Sequence, residues 1–281
     1  MFDGQTIGMR TIQFNNTKEN IPVLGMGTYG IFPGESNEVY EQWKKVLRNG
    51  IELGMNHIDT AELYGSGHSE KIIGQIIKEY DREEIFITTK MLPSHKTERQ
   101  MRKAINQSLD RLSLEYVDLY LIHWLESDSS IKNIMKMFET FVDEGKTRYV
   151  GVSNFSISEV KEAIKYLKKY DLVTNQVEIN IKNQKELRNL SFYQNNKIML
   201  TAYTPLAKAS LKGLPNILQK KLDHLSKKYE CSKLQIALAW LINHQDVIAI
   251  PRTSNVSHLK ENAKAAEILL DDLEIESLNH F

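Results

Sequence analysis

The sequence predicts an α/β protein of the (β/α)8 or TIM barrel type, with an N-terminal β-hairpin capping the barrel floor. Three observations carry that reading. Eight short apolar runs recur along the chain, the first five at intervals of about thirty residues, the length of a strand plus its return helix. Helical periods with start signals lie between the runs, which makes the strand pairing parallel. No Gly/Ser linker, low-complexity tract or block of like charge interrupts the 281 residues, so 1–281 read as one barrel domain with its ligands at the C-terminal face of the strands.

The elements follow in order. Residues 9–14 and 21–23, separated by a polar turn at 15–20, form the expected hairpin. The barrel strands are then 23–29, 55–59, 85–90, 117–123, 148–153, 173–177, 197–203 and 247–251. Thr97 with Gln100, Ser156 with Glu159 and Ser232 with Gln235 have the capping-box spacing, in which each side chain satisfies the other's backbone N–H at a helix start. The long gap before the last strand holds two helical periods, 216–229 and 232–243.

Lys and Arg number 36 and Asp and Glu number 36, interleaved along the amphipathic stretches. That balance removes the long-range field a nucleic-acid or anionic-membrane binder would use, so neither partner is expected. The opening residues lack a basic segment followed by an apolar one, and no window approaches the roughly 18 apolar residues of a membrane span. The one cysteine, Cys231, has no internal disulfide partner, which suits a reducing cytoplasm. The mixed charge of the outer helices points to a monomer.

The run Gly25-Met26-Gly27-Thr28-Tyr29-Gly30 matches a dinucleotide-binding fingerprint on paper. That motif works only if its third glycine opens a helix whose N-terminus faces the pyrophosphate. Here Ile31-Phe32-Pro33-Gly34 intervenes. The segment reads instead as a tight turn after the first strand, where small residues let a ligand approach the backbone.

In a barrel of this type the chemistry sits at the carboxyl ends of the strands. Those ends carry Thr28 and Tyr29, Asp59, Lys90, His123, Ser153 with Asn154, Gln176, Tyr203, and Arg252 with Thr253. Taken singly, each has a plain explanation as a helix cap, a solvated charge, a core histidine or a packing aromatic. Their occurrence at successive strand tips is what points to one mouth. No His, Asp and Glu cluster has metal-ligand spacing, so no metal is expected, and a G-x-S-x-G nucleophile elbow is absent. A Schiff-base lysine at Lys90 is a competing reading, opposed by Asp59, which would hold the amine charged and unreactive. A charged Lys90 suits a neighbouring phenol, lowering its pKa from ~10 toward the working range. Tyr64, five residues beyond Asp59, is placed to be that phenol. Asp59, Tyr64, Lys90 and His123 thus read as a device for protonating a carbonyl.

These residues lie in segments that closely resemble the aldo-keto reductase family. Gly54 to Ser66, containing Asp59-Thr60-Ala61-Glu62-Leu63-Tyr64-Gly65, looks like its first signature, and Gly151-Val152-Ser153-Asn154-Phe155 like another. Asn175-Gln176-Val177-Glu178, Ala202-Tyr203-Thr204-Pro205-Leu206 and Ile250-Pro251-Arg252-Thr253 through Glu261-Asn262 complete the pattern in order. The resemblance implies NADPH-dependent reduction of aldehydes or ketones to alcohols by direct hydride transfer. Tyr64 would be the general acid, Lys90 would tune it, Asp59 would hold Lys90, and His123 would orient the carbonyl. Ser153, Asn154 and Gln176 would bond the nicotinamide carboxamide and Tyr203 would stack on the ring. Gly27, Thr28, Thr204 and Leu206 would line the same cofactor cleft.

Arg252, Thr253, Asn255 and His258 align with the family's grip on the adenosine 2′-phosphate, and Glu261 and Asn262 with its adenine contacts. Arg252 is a charged fork matched to phosphate and favours NADPH. His258 stands where the family usually has arginine, and its partial charge leaves NADH use open. The loop 124–130 is short and the chain ends about one helix past Asn262, so the resemblance implies an open pocket walled by Tyr29, Phe32, Tyr64 and Trp124 with broad acceptance of small aldehydes and ketones. A second reading is a nucleotide-sensing regulatory subunit with little turnover.

Overall fold

The computed structural model describes residues 8–279. Eight parallel strands pair in chain order: β3 (Met26–Gly27), β4 (His57–Asp59), β5 (Phe86–Met91), β6 (Val117–Ile122), β7 (Thr147–Ser153), β8 (Leu172–Glu178), β9 (Met199–Tyr203) and β10 (Val247–Ala249). The seam is sewn by backbone bonds from Gly25 N–H to Ala249 O (2.9 Å), Gly27 N–H to Pro251 O (3.1 Å) and Ala249 N–H to Val23 O (3.0 Å), which close the sheet into a barrel. The first and last strands are shorter than the apolar runs that encode them. At the seam, Leu24 and Gly27 make only isolated bridges to Ala249 and Arg252, and Pro251 has no N–H to extend β10.

Ahead of the barrel, β1 (Thr11–Gln13) and β2 (Asn20–Pro22) form the antiparallel hairpin, with Ile12 opposite Ile21. Phe14 and Ile21 turn upward into the barrel and pack with Phe86, Leu119, Leu121, Val173, Met199 and Ile248, sealing the floor with an apolar plug. A second core lies between strands and helices, because strand side chains alternate. Leu119 and Leu121 of β6 join the plug, while Tyr120 and Ile122 pack under the helices.

The helices are α1 (Asn37–Glu52), α2 (His68–Ile77), α3 (Glu98–Leu112), α4 (Ile131–Asp143), α5 (Ile157–Tyr166), α6 (Leu190–Asn195), α7 (Asn216–Lys228), α8 (Lys233–Ile242), α9 (Val256–Lys264) and α10 (Asp272–Leu278). The capping boxes at Thr97, Ser156 and Ser232 are all present, starting α3, α5 and α8. A fourth, Asp271 with Glu274, starts α10. Helix α1 begins only at Asn37, nine residues past Thr28, so the glycines at 25, 27 and 30 do not open a helix. No helix among the described residues is long and apolar enough to cross a membrane.

Candidate active site

Strand parity delivers the polar residues to one place. On β4, β5 and β6 the inward positions run His57–Asp59, Phe86–Thr88–Lys90 and Leu119–Leu121–His123. They rise from an apolar floor through a hydroxyl and imidazole layer, where His57 Nε2 meets Thr88 Oγ1 at 2.9 Å, to a charged rim. Lys90 and Asp59 are fully buried and meet at 2.5 Å between Nζ and Oδ1. Lys90 also donates to Thr60 O at 2.8 Å and to Tyr64 Oη at 3.4 Å. All three ammonium protons are thereby placed. Because Tyr64 Oη accepts from Lys90, its own hydrogen remains for another acceptor.

Tyr64 is set by a tight turn. Tyr64 N–H bonds Ala61 O at 3.0 Å, and Gly65 follows with φ 57°. A Cβ at Gly65 would lie 2.3 Å from Ile31 O, so the turn packs directly on the loop after β3 and requires glycine. His123 lies edge-on to Tyr64 with ring centroids 5.7 Å apart, which brings the fourth member to the same mouth.

The electrostatic balance corrects one sequence expectation. Burial raises the Tyr64 pKa, the Lys90 ammonium lowers it less, and the Asp59 charge raises it again, so the phenol is held above its usual value. Lys90 therefore offsets part of a desolvation penalty and does not leave a phenol more acidic than a free one. For Lys90 the order is reversed in effect: burial disfavours its charge, but Asp59 and Tyr64 together outweigh that and hold it protonated. His123 is pushed down to about 3 by burial and by Lys90, so its imidazole is neutral.

The predicted cofactor residues fall into two groups. Ser153, Asn154, Gln176 and Tyr203 converge on the rim: Ser153 Oγ donates to Gln176 O at 2.9 Å, Asn154 Nδ2 to His123 O at 3.1 Å, and Tyr203 Oη to Asn154 Oδ1 at 2.9 Å. Gln176 Nε2 donates to Asp59 Oδ2 at 2.7 Å. Asn154 and Thr204 both adopt positive φ, 62° and 51°, turning the chain sharply off β7 and β9. Thr28 is buried and donates Oγ1 to Asp59 O at 2.9 Å, and Gly27 lies in the seam beside Arg252. Leu206 packs against the outer core. The second group surrounds the start of α9, where Asn255 is the N-cap and its oxygen accepts from Ser257 N–H (2.7 Å) and His258 N–H (3.3 Å). Thr253 Oγ1 accepts from Asn255 N–H, while Asn262 is buried and Glu261 exposed one turn along.

The aromatic wall is continuous. Tyr29 and Phe32 are exposed at the rim, Tyr29 packs edge-on against Phe32 (5.7 Å) and Tyr64 (5.3 Å), and Trp124 lies 4.7 Å from His123.

Sequence reasoning missed three supports. The Thr60 carbonyl on Lys90 is a backbone atom and carries no residue signal. Glu62 accepts the Leu92 N–H and meets His95 Nε2 at 3.0 Å, tying the loop that bears Tyr64 to the loop after β5. Glu70, buried on α2, accepts from Thr89 Oγ1 and Arg111 Nε, each at 2.6 Å, behind the Tyr64 turn. A glutamate within the apolar stripe of α2 was the available signal for the last.

A buried lysine–aspartate pair, a phenol and a neutral imidazole thus stand together at the mouth of a closed parallel barrel. The Aldo/keto reductase family model matches residues 23–281, and the chain belongs to that family. It is 33% identical over 273 residues to the methylglyoxal reductase YeaE of Escherichia coli, covering 96% of this chain and 94% of that protein. It is also 33% identical over 272 residues to the glyoxal reductase of Bacillus subtilis, covering 96% and 91%. Among solved structures, an aldo-keto reductase from Klebsiella pneumoniae in complex with NADPH superimposes with a TM-score of 0.85 at 30% identity, covering 96% of this chain and 94% of that one.

Proposed function

We propose that this chain reduces small aldehydes and ketones with NADPH, with Tyr64 as the general acid. The observation that carries the reading is the Lys90 fork: one ammonium bonded to Asp59, Thr60 O and Tyr64 Oη, leaving the phenol hydrogen as the proton available at the mouth. The neutral His123 beside it donates a hydrogen bond that holds a carbonyl oxygen next to Tyr64. As negative charge builds on that oxygen, Tyr64 gives up its proton, and the phenolate left behind is stabilised by Lys90.

Bound NADPH would supply hydride to the carbonyl carbon. The donor set fits that group: a hydroxyl and two amides, Ser153, Asn154 and Gln176, offer neutral hydrogen bonds suited to a carboxamide, and Tyr203 offers a flat face. Gln176, with its nitrogen held on Asp59, has its carbonyl oxygen for the carboxamide N–H. Arg252 and the capped start of α9 suit a 2′-phosphate, with His258 as a weaker second cation that leaves NADH usable. The names of the relatives, methylglyoxal and glyoxal reductases, support a small carbonyl substrate. We read the protein as one barrel domain acting as a monomer in the reducing cytoplasm.

Loss of nicotinamide absorbance with methylglyoxal tests the activity. Replacing Tyr64 with Phe is expected to lower kcat about 10²- to 10⁴-fold with NADPH affinity unchanged. Full turnover in Tyr64→Phe would remove the assigned acid. Tight nucleotide binding with negligible turnover in the unaltered chain would favour the sensing subunit.

A further inference from the structure

Arg252, proposed above for the cofactor phosphate, makes three contacts within the protein itself. Its Nε donates to the backbone oxygen of Tyr29 at 2.8 Å, across the barrel seam and 223 residues away in sequence. The guanidinium lies over the indole of Trp43, with Cζ 5.1 Å from the ring centroid, and that indole is buried on α1. The guanidinium also fills the space beside Gly30: at φ 110°, a Cβ there would lie 2.3 Å from Nη2. Arg252 is therefore clamped on three sides, by a carbonyl, an aromatic face and a glycine backbone.

The segment that it grips bears the aromatic wall. Tyr29 packs edge-on against both Phe32 and Tyr64, and the far side of the same loop rests through Ile31 O on Gly65. The 29–32 loop is held between Arg252 on one flank and the turn of the acid on the other. Tyr29 is 57% exposed, so packing alone does not fix its ring; the backbone under it must be fixed instead.

We propose that Arg252 is a specificity-determining residue for the carbonyl substrate: through the Tyr29 carbonyl it positions the Tyr29–Phe32 wall, and flat, ring-bearing aldehydes depend on it more than small dicarbonyls do. The inference rests on the reading of the mouth as a carbonyl-reducing site. The same side chain, with Nε committed to Tyr29, keeps its Nη edge for the cofactor phosphate, so one guanidinium serves both ends of the cleft.

Lysine at this position keeps the positive charge but loses the planar fork and its Nε–H. Alanine at Gly30 displaces the guanidinium without removing it. Steady-state kinetics at saturating NADPH with benzaldehyde and with methylglyoxal should therefore separate the roles. In Arg252→Lys and in Gly30→Ala, any loss of cofactor grip touches both aldehydes alike, and KM for benzaldehyde is expected to rise about three- to tenfold more than KM for methylglyoxal, the worth of one lost hydrogen bond. Arg252 is exposed, so the lysine variant decides the matter even if Gly30→Ala fails to fold. Unchanged KM values, or equal rises for both aldehydes, would overturn the proposal while leaving the catalytic reading in place. An unaltered chain that reduces neither aldehyde would overturn both.

Discussion

Gln176 donates its side-chain N–H to Asp59 Oδ2 at 2.7 Å, joining residues 117 apart in sequence across the mouth of the barrel. With Lys90 on Oδ1, the carboxylate is held from both sides in a fully buried position. Burial pushes the Asp59 carboxyl up, and Lys90 and Gln176 pull it back. Tyr64, the proposed acid, is thus the end of a chain running from an amide through a carboxylate and an ammonium to a phenol. Replacing Gln176 with Leu should leave a buried acceptor one donor short and cost about 1–3 kcal/mol in chemical denaturation, with nicotinamide binding weakened as well.

Lys90→Met should separate stability from chemistry. It leaves the Asp59 charge buried without its partner, a loss of about 3–5 kcal/mol, and removes the stabiliser of the phenolate. The double variant Lys90→Met with Asp59→Asn should recover most of the stability in urea melts and none of the turnover. Recovered turnover would show that the ammonium is dispensable to the acid.

The pH profile of reduction follows from the two rings. As the proposed acid, Tyr64 would act while protonated, and its pKa is raised, chiefly by burial, so the rate should hold level from about pH 6 to 9 and fall only above about 10. His123, pushed down to about 3, does not titrate in that window. An inflection near neutral pH that disappears in His123→Gln would contradict the neutral imidazole.

Acid stability should report the buried His57. Its value falls from 6.5 in the unfolded chain to about 3 in the fold, chiefly by burial and then by Lys90. Between those values only the unfolded chain binds the proton, so stability is intact above 6.5 and falls as the pH drops below it, by about 1.4 kcal/mol per pH unit for this one group. In denaturant melts at several pH values, His57→Gln should show a shallower acid slope than the unaltered chain.

Behind the Tyr64 turn, Arg111→Met would leave Glu70 buried against Thr89 without its cation. A loss of about 3–5 kcal/mol is expected, and Glu70→Gln added to it should restore part of that loss. If Arg111→Met proves neutral in urea melts, the Glu70–Arg111 pair is not a support of the turn.

Much of this was legible in the one-dimensional chain. Apolar runs at a steady interval and capping boxes at Thr97, Ser156 and Ser232 specify strands and helices through local sterics and backbone hydrogen bonding, which need only near neighbours. Strand parity then sends Asp59, Lys90 and His123 inward, so the membership of the rim follows from a period of two. The seam bonds from Gly25 and Gly27, the grip of Arg252 on the Tyr29 carbonyl, the amide of Gln176 on Asp59 and the placement of Glu70 against Arg111 were not legible. Each joins backbone or side-chain atoms far apart in sequence, and nothing local distinguishes such an atom from its unpaired counterparts. The acidity of Tyr64 belongs with them: residue types announce the ammonium beside it, but only the closed barrel determines how much water is lost, and desolvation outweighs the neighbouring charge.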